Sequence, residues 1–230
     1  MQHETEQDTW KRAAGEAAAE LVETGMVIGL GSGSTAEYMV QALARRIQAG
    51  LRIVGAVPTS LRTEQLARDL GIPLTDLDRH PELDLDLDGA DEIDPQLYLI
   101  KGGGGALLRE KVVASAARRF VVIADVSKQV QSLGYRFPLP IETIPFAVTP
   151  VRRHLEALGA AVQVRQRDNR AVLTDNGNVI LDCTFTGGIS DPVDMEARIR
   201  RIVGVVESGL FLHMAAQAII GGPQGVTRLA

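Results

Sequence analysis

The sequence has little of several things, and each shortage excludes a class of function. It holds one cysteine, Cys183, so no intrachain disulfide can form, and a reducing, cytoplasmic setting is expected. Its context, VILDCTF, reads as a buried strand thiol rather than a nucleophile. Aromatics are few, with one Trp, three Tyr and five Phe, so Ala, Val, Leu and Ile must build the core. There is no excess of positive charge: the formal net charge is −5, which argues against nucleic acid as a partner. No apolar run reaches the roughly 18 residues of a membrane span, and the polar, acidic opening MQHETEQDTW lacks the apolar core of a signal peptide. His3, His80, His154 and His213 are scattered without metal-ligand spacing, and no G-x-S-x-G elbow is present.

What remains is an ordinary soluble composition, 45% hydrophobic and 23% charged over 230 residues, interrupted by one unusual stretch. Residues 88–111 read DGADEIDPQLYLIKGGGGALLREK. Asp88, Asp91 and Glu92 are followed by Lys101, four glycines and then Glu110 within a helical pattern. Consecutive glycines are entropically expensive to order. They make sense where backbone N–H groups must approach a ligand, most simply an anion. A flexible linker is the bland reading, but Lys101 and the helix after Gly105 leave it little room.

Taken in order, the periodicity predicts a helix over 8–24, a strand over 26–30, a glycine turn at 31–35 and a helix closed by Gly50. Strand, glycine turn and helix together place an anion at a helix N-terminus, with Ser32, Ser34 and Thr35 adding hydroxyls to the amides around Gly33. The same turn fits G-x-G-x-x-A, but the acid expected about 20 residues on is missing, as is a Walker lysine. A phosphate cradle without a nucleotide is the better reading. Strands are expected over 52–57, 83–87, 97–100 and 120–124, the second of them alternating Leu and Asp, with helices between. This alternation implies a doubly wound, mainly parallel, Rossmann-like sheet. The loops at 31–35, 88–91 and 101–104, and Lys128, would all lie beyond its strand ends, where such sheets bind ligands.

After residue 129 the pattern changes. An extended segment over 141–148, a helix over 151–158, a strand over 161–165, an Asn-Gly turn at 176–177, a helix over 193–201 and a strand over 205–212 follow. This β-α-β-β-α-β order suits an inserted, smaller ferredoxin-like α+β domain. The expected division is 1–130 with 211–230 for the larger domain and 131–210 for the insert.

A phosphate site, aspartates, a lysine and a helix-borne glutamate suit proton transfer on a small sugar phosphate. Glu110 is the candidate base and Lys101, with nearby N–H groups, the support for a developing enediolate. Asp88 and Asp91 would bind hydroxyls, and one of them could shuttle the ring-opening proton. Strand alternation accounts for Asp84, Asp86 and Asp88 without Mg²⁺, and the chemistry requires neither metal nor organic cofactor. Asp86 needs a partner if it is buried.

Assembled, these residues resemble the type A ribose-5-phosphate isomerases. The matching stretches are GLGSGSTA at 29–36, PTS at 58–60, DGADEID at 88–94, KGGGGALLREK at 101–111, ADVSKQV at 124–130, FPLPIE from Phe137 and TDNGN at 174–178. The resemblance implies metal-free interconversion of ribose 5-phosphate and ribulose 5-phosphate in a homodimer or homotetramer, with Glu110 as proton acceptor. It places Ser32, Gly33, Ser34, Thr35, Asp88, Gly89, Ala90, Asp91, Lys101, Gly102, Gly103, Gly104 and Lys128 around the substrate, with Lys11 near the phosphate. Two other readings are a non-catalytic sugar-phosphate sensor and a related sugar-phosphate deaminase or coenzyme A transferase. The sensor would normally carry a DNA-binding segment, the deaminase a ring-opening histidine, and the transferase a nucleophilic glutamate.

Overall fold

The computed structural model describes residues 5–230, so His3 lies outside them. The first half runs α1 (Glu6–Ala19), β1 (Val27–Leu30), α2 (Ser34–Gln48), β2 (Gly55–Pro58), α3 (Leu61–Asp69), β3 (Leu85–Gly89), β4 (Glu92–Ile93), β5 (Leu99–Ile100), α4 (Leu107–Ala116) and β6 (Phe120–Asp125). It continues with β7 (Leu139–Thr143), α5 (Val148–Ala157), β8 (Ala160–Val164), β9 (Gln166–Arg167), β10 (Arg170–Ala171) and β11 (Val179–Phe185). The chain closes with α6 (Pro192–Ile199), β12 (Val205–Ser208), β13 (Leu210–Phe211), β14 (Ala215–Gly222) and β15 (Gly225–Leu229). Among the described residues no helix is long and apolar enough to cross a membrane.

The chain folds as two compact units. One holds the residues through Ala90, Arg109–Lys128 and Met214–Ala230; the other holds Asp91–Leu108 and Gln129–His213. Residues 91–108, expected in the larger domain, therefore cluster with the smaller one.

The larger unit carries a six-stranded sheet in the order β15-β14-β6-β3-β1-β2. Its four contacts from β2 through to β14 are parallel, and β15 joins antiparallel at the edge. β1 and β6 are buried along their whole length, which is why they read as unbroken apolar runs. Ile28, Leu30, Met39, Leu43, Leu87, Val121, Ile123 and Ile219 form the core beside them. α1 begins with a capping box between Thr5 and Asp8, two residues before the expected start. β14 passes so close to α1 that a Cβ at Gly221 would fall 2.0 Å from the Trp10 carbonyl oxygen.

β3 departs from its expected alternation. Leu85, Asp86, Leu87 and Asp88 are all buried, because this strand lies between β1 and β6 with neither face open to solvent. Asp86 points inward at 0% exposure, and Gly29 on β1 makes the room: a Cβ there would sit 2.3 Å from Asp86 Oδ1.

The smaller unit is built on a four-stranded antiparallel sheet ordered β12-β7-β11-β8. With α5 and α6 as the connections, this is the ferredoxin-like arrangement. Leu139, Ile141, Val151, Leu155, Leu181 and Ile199 fill its core. The extended segment stops at Thr143, because Pro145 opens a 3-10 turn that leads into α5. The Asn-Gly turn forms, with Thr174 N–H donating to Asn178 O at 2.9 Å, but only Leu173 and Val179 pair across it. A hairpin of β9 and β10 instead turns through Asp168 and Asn169, both at positive φ.

The strand expected over 97–100 is not part of the parallel sheet. β4 and β5 form a hairpin, turned through Leu97 at φ 59°, and with β13 make a separate three-stranded antiparallel sheet. Two-residue strands leave no periodicity to read, so the apolar LYLI looks like a parallel strand although it pairs antiparallel on both sides. The strand over 205–212 likewise breaks at Gly209 into β12 and β13, which belong to different sheets.

Candidate active site

In the larger unit the predicted groups gather at the carboxyl ends of the strands. Gly31 leaves β1 with its N–H on Leu87 O at 2.9 Å, and a Cβ on it would lie 2.2 Å from Asp88 Oδ1. Only glycine permits that approach. Asp88 is fully buried, and its Oδ1 accepts the N–H of Ser32 at 2.8 Å and that of Gly89 at 2.7 Å. Asp88 thus ties the glycine turn to the end of β3.

Ser32 turns its hydroxyl inward. Its Oγ lies 2.8 Å from Thr59 Oγ1, 2.8 Å from Ser60 Oγ and 3.2 Å from Thr63 Oγ1. Thr63 Oγ1 in turn donates to Gly31 O at 3.0 Å. The PTS segment therefore acts as a brace for the turn after β1. Gly33, at φ 94°, is the N-cap of α2 and makes no side-chain cap bond. The exposed Ser34 and the buried Thr35 follow in the first helical turn, whose N–H groups suit an anion.

Glu110 lies in the first turn of α4 and is only 4% exposed. Asp125, at the end of β6, is fully buried and accepts the Ser127 N–H at 2.9 Å, which fixes the 3-10 turn carrying the half-buried Lys128. Gln7 Nε2 on α1 reaches Ser127 Oγ at 3.3 Å and Asp125 Oδ2 at 3.3 Å. Lys11 stands one helical turn beyond Gln7, on the same face of α1. Gln7 carried no motif; its only sequence signal was that i, i+4 spacing from Lys11.

In the smaller unit, Asp91 and the glycine loop belong together. Gly103 N–H donates to Asp91 Oδ2 at 2.7 Å, and a Cβ on Gly103 would lie 2.6 Å from Asp91 Oδ1. Gly102 and Gly105 have positive φ, while Gly104 has open space around it. Lys101 is 2% exposed, its N–H donates to Gly209 O at 2.9 Å, and its ammonium stands 5.4 Å from the Phe211 ring centroid. Glu92 serves structure: its carboxylate accepts the N–H groups of Gly134, Arg136 and Phe137 at 2.6, 2.7 and 2.8 Å. Cys183 is buried, and that burial pushes its thiol up to about 12, helped by the Asp182 charge. Among the described residues no cluster of three His, Cys, Asp or Glu side chains is placed to hold a metal ion.

Residues 55–225 match the sequence profile of ribose 5-phosphate isomerase A (phosphoriboisomerase A). The chain belongs to the ribose-5-phosphate isomerase A family. Ribose-5-phosphate isomerase A of Roseiflexus castenholzii is 56% identical over 223 residues, covering 96% of this chain and 94% of that one. The Bacillus mycoides protein of the same name is 50% identical over 216 residues, covering 94% and 97%. Among solved structures, a D-ribose-5-phosphate isomerase in complex with phospho-erythronic acid superposes with a TM-score of 0.94 at 39% identity, covering 98% of this chain and 99% of that one. Ribose 5-phosphate isomerase A of Methanocaldococcus jannaschii gives a TM-score of 0.92 at 40% identity, covering 97% and 99%. Family membership thus extends over nearly the full chain, both units included.

Proposed function

We propose that this chain interconverts D-ribose 5-phosphate and D-ribulose 5-phosphate through an enediolate, with Glu110 carrying the proton between C2 and C1. The observation that carries the assignment is a carboxylate in the first turn of α4 at 4% exposure, five residues after the last glycine of the 101–105 loop. A carboxylate so removed from water is a suitable base for a carbon acid, because the proton it accepts neutralises a charge that burial disfavours. Removal of the C2 proton of the open aldose places negative charge on O1. Lys101 and the glycine-loop amides offset that charge; the O2 hydroxyl proton passes to O1, and Glu110 returns the carbon proton to C1 as the carbonyl forms at C2.

Asp88 and Asp91 bind sugar hydroxyls, and Asp88 moves the proton that opens the ring. The amides and hydroxyls of residues 32–35, with Lys11 and Lys128, take the phosphate. Support comes from the N-terminus of α2, from the fixed turn at Ser127 and from a family relative that holds phospho-erythronic acid, itself a phosphorylated sugar acid. Gly89, Ala90 and Gly102 to Gly104 bring backbone close to the sugar. The enzyme acts in the cytoplasm as a homodimer or homotetramer; a single, buried, unreactive cysteine suits that compartment.

Incubating the purified chain with ribose 5-phosphate in the presence of a chelator should yield ribulose 5-phosphate at an undiminished rate. Binding of the sugar phosphate without ketose formation would defeat the assignment.

A further inference from the structure

We propose that Arg165 is a positioning residue for the reaction, holding the Gly102 and Gly103 carbonyls so that the Gly104 N–H faces the ligand. The inference rests on the role given to that loop above. Arg165 Nη1 donates to Gly102 O at 2.7 Å and to Gly103 O at 3.1 Å. The rest of the guanidinium is locked on Asp182, with Nε on Oδ2 at 2.9 Å and Nη2 on Oδ1 at 2.5 Å. Both side chains are largely buried, at 16% and 21% exposure. A forked pair of this kind fixes the guanidinium plane as well as its position. Asp182 is anchored on β11, a central strand of the four-stranded sheet, so the loop is tied to that sheet.

The consequence follows from peptide geometry. In a trans peptide the N–H points opposite to the carbonyl. Gly102 C=O and Gly103 N–H share one plane; Arg165 holds the first and Asp91 the second, at 2.7 Å each. Gly103 C=O and Gly104 N–H share the next plane, so gripping that carbonyl turns the Gly104 N–H to the side away from the guanidinium. Glycine peptides can otherwise flip at little steric cost, and a run of four has many orientations of similar energy. Arg165 selects one of them. Because Asp182 offsets its charge, its contribution is direction rather than field.

The test compares Arg165→Ala, Arg165→Lys and Lys101→Ala in the full chain, with kcat, KM and melting temperature measured for each. Arg165→Ala should keep its melting temperature within a few degrees, lose about 10- to 100-fold in kcat with a smaller change in KM, and regain part of kcat on adding millimolar guanidinium but not urea. A folded Arg165→Ala enzyme with wild-type kcat, or one whose loss guanidinium leaves untouched, overturns the proposal. If Arg165→Ala fails to fold, Arg165→Lys decides: it keeps charge and bulk but cannot span two carbonyls and a carboxylate together. Reduced kcat at normal melting temperature then supports the clamp, and wild-type kcat overturns it. Wild-type turnover in Lys101→Ala would instead overturn the role of the loop itself, whatever Arg165 does.

Discussion

Asp88 and Gly31 occupy space that a single additional carbon would fill twice: a Cβ on Gly31 would stand 2.2 Å from Asp88 Oδ1 and 2.4 Å from Asp88 Cα. The second of these atoms is backbone, so no rotamer change relieves the clash. Gly31→Ala should destabilise the chain by about 1–3 kcal/mol, as overpacking does elsewhere, and should lower activity by moving Asp88. Gly104→Ala is the contrast. Nothing lies within 4 Å of a Cβ there and its φ is unremarkable, so stability should stay within about 0.5 kcal/mol of the parent. Urea titrations of the two variants check this, and equal midpoints would contradict the close approach.

Glu110→Gln preserves the shape of a side chain that is 4% exposed while removing its capacity to take a proton. Turnover should fall about 10²–10⁴-fold, or ~3–5 kcal/mol of barrier. Binding of ribose 5-phosphate, measured at equilibrium, should change little, since the phosphate is assigned to other residues. Near-normal turnover in this variant would remove Glu110 from the role of base.

The sequence showed these two positions because their chemistry is contiguous: glycine beside hydroxyls, and glycines shortly before a helix-borne acid. The turn after β1 and the Asp88 carboxylate were each legible, and the structure joins them through the Ser32 N–H. The braces were not legible. Thr63 reaches Gly31 across 32 positions, and Arg165 reaches Gly102 across 63. One threonine or one arginine in a run of ordinary residues carries no pattern until tertiary contacts form. The Leu-Asp alternation of β3 marks a strand but leaves the direction of Asp86 open: it is a real period of two, but burial on both faces removes the polar-out meaning that such a period has at a surface.

Glu92 lies one residue from Asp91 yet should behave differently when altered. Its Oε1 accepts the Arg136 and Phe137 N–H groups, and its Oε2 the Gly134 N–H. In Glu92→Gln the amide oxygen can serve only one side, which sets an NH₂ group against at least one backbone donor. A loss of about 2 kcal/mol in stability is expected, with kcat of the folded fraction near the parent value. An unchanged unfolding midpoint would show that water replaces those bonds.

Cys183 offers a check on burial next to the Arg165 anchor. Its thiol is 1% exposed and pushed up to about 12, first by burial and second by the neighbouring Asp182 carboxylate. A raised pKa favours the neutral thiol, so at pH 8 only about one molecule in 10⁴ would carry a thiolate, against roughly a quarter in an unfolded chain with a thiol pKa near 8.5. A disulfide reagent should therefore label the folded protein at least 100-fold more slowly than the denatured protein. The same shift fixes the sign of a stability effect. Between the unfolded value and about 12 the unfolded chain gives up a proton that the folded chain keeps, so Cys183 erodes stability as pH rises through that window. Cys183→Ala, whatever its packing cost at neutral pH, should flatten that alkaline decline. Rapid labelling of the folded protein at pH 8 would mean that β11 opens readily, and with it the strand that anchors Asp182.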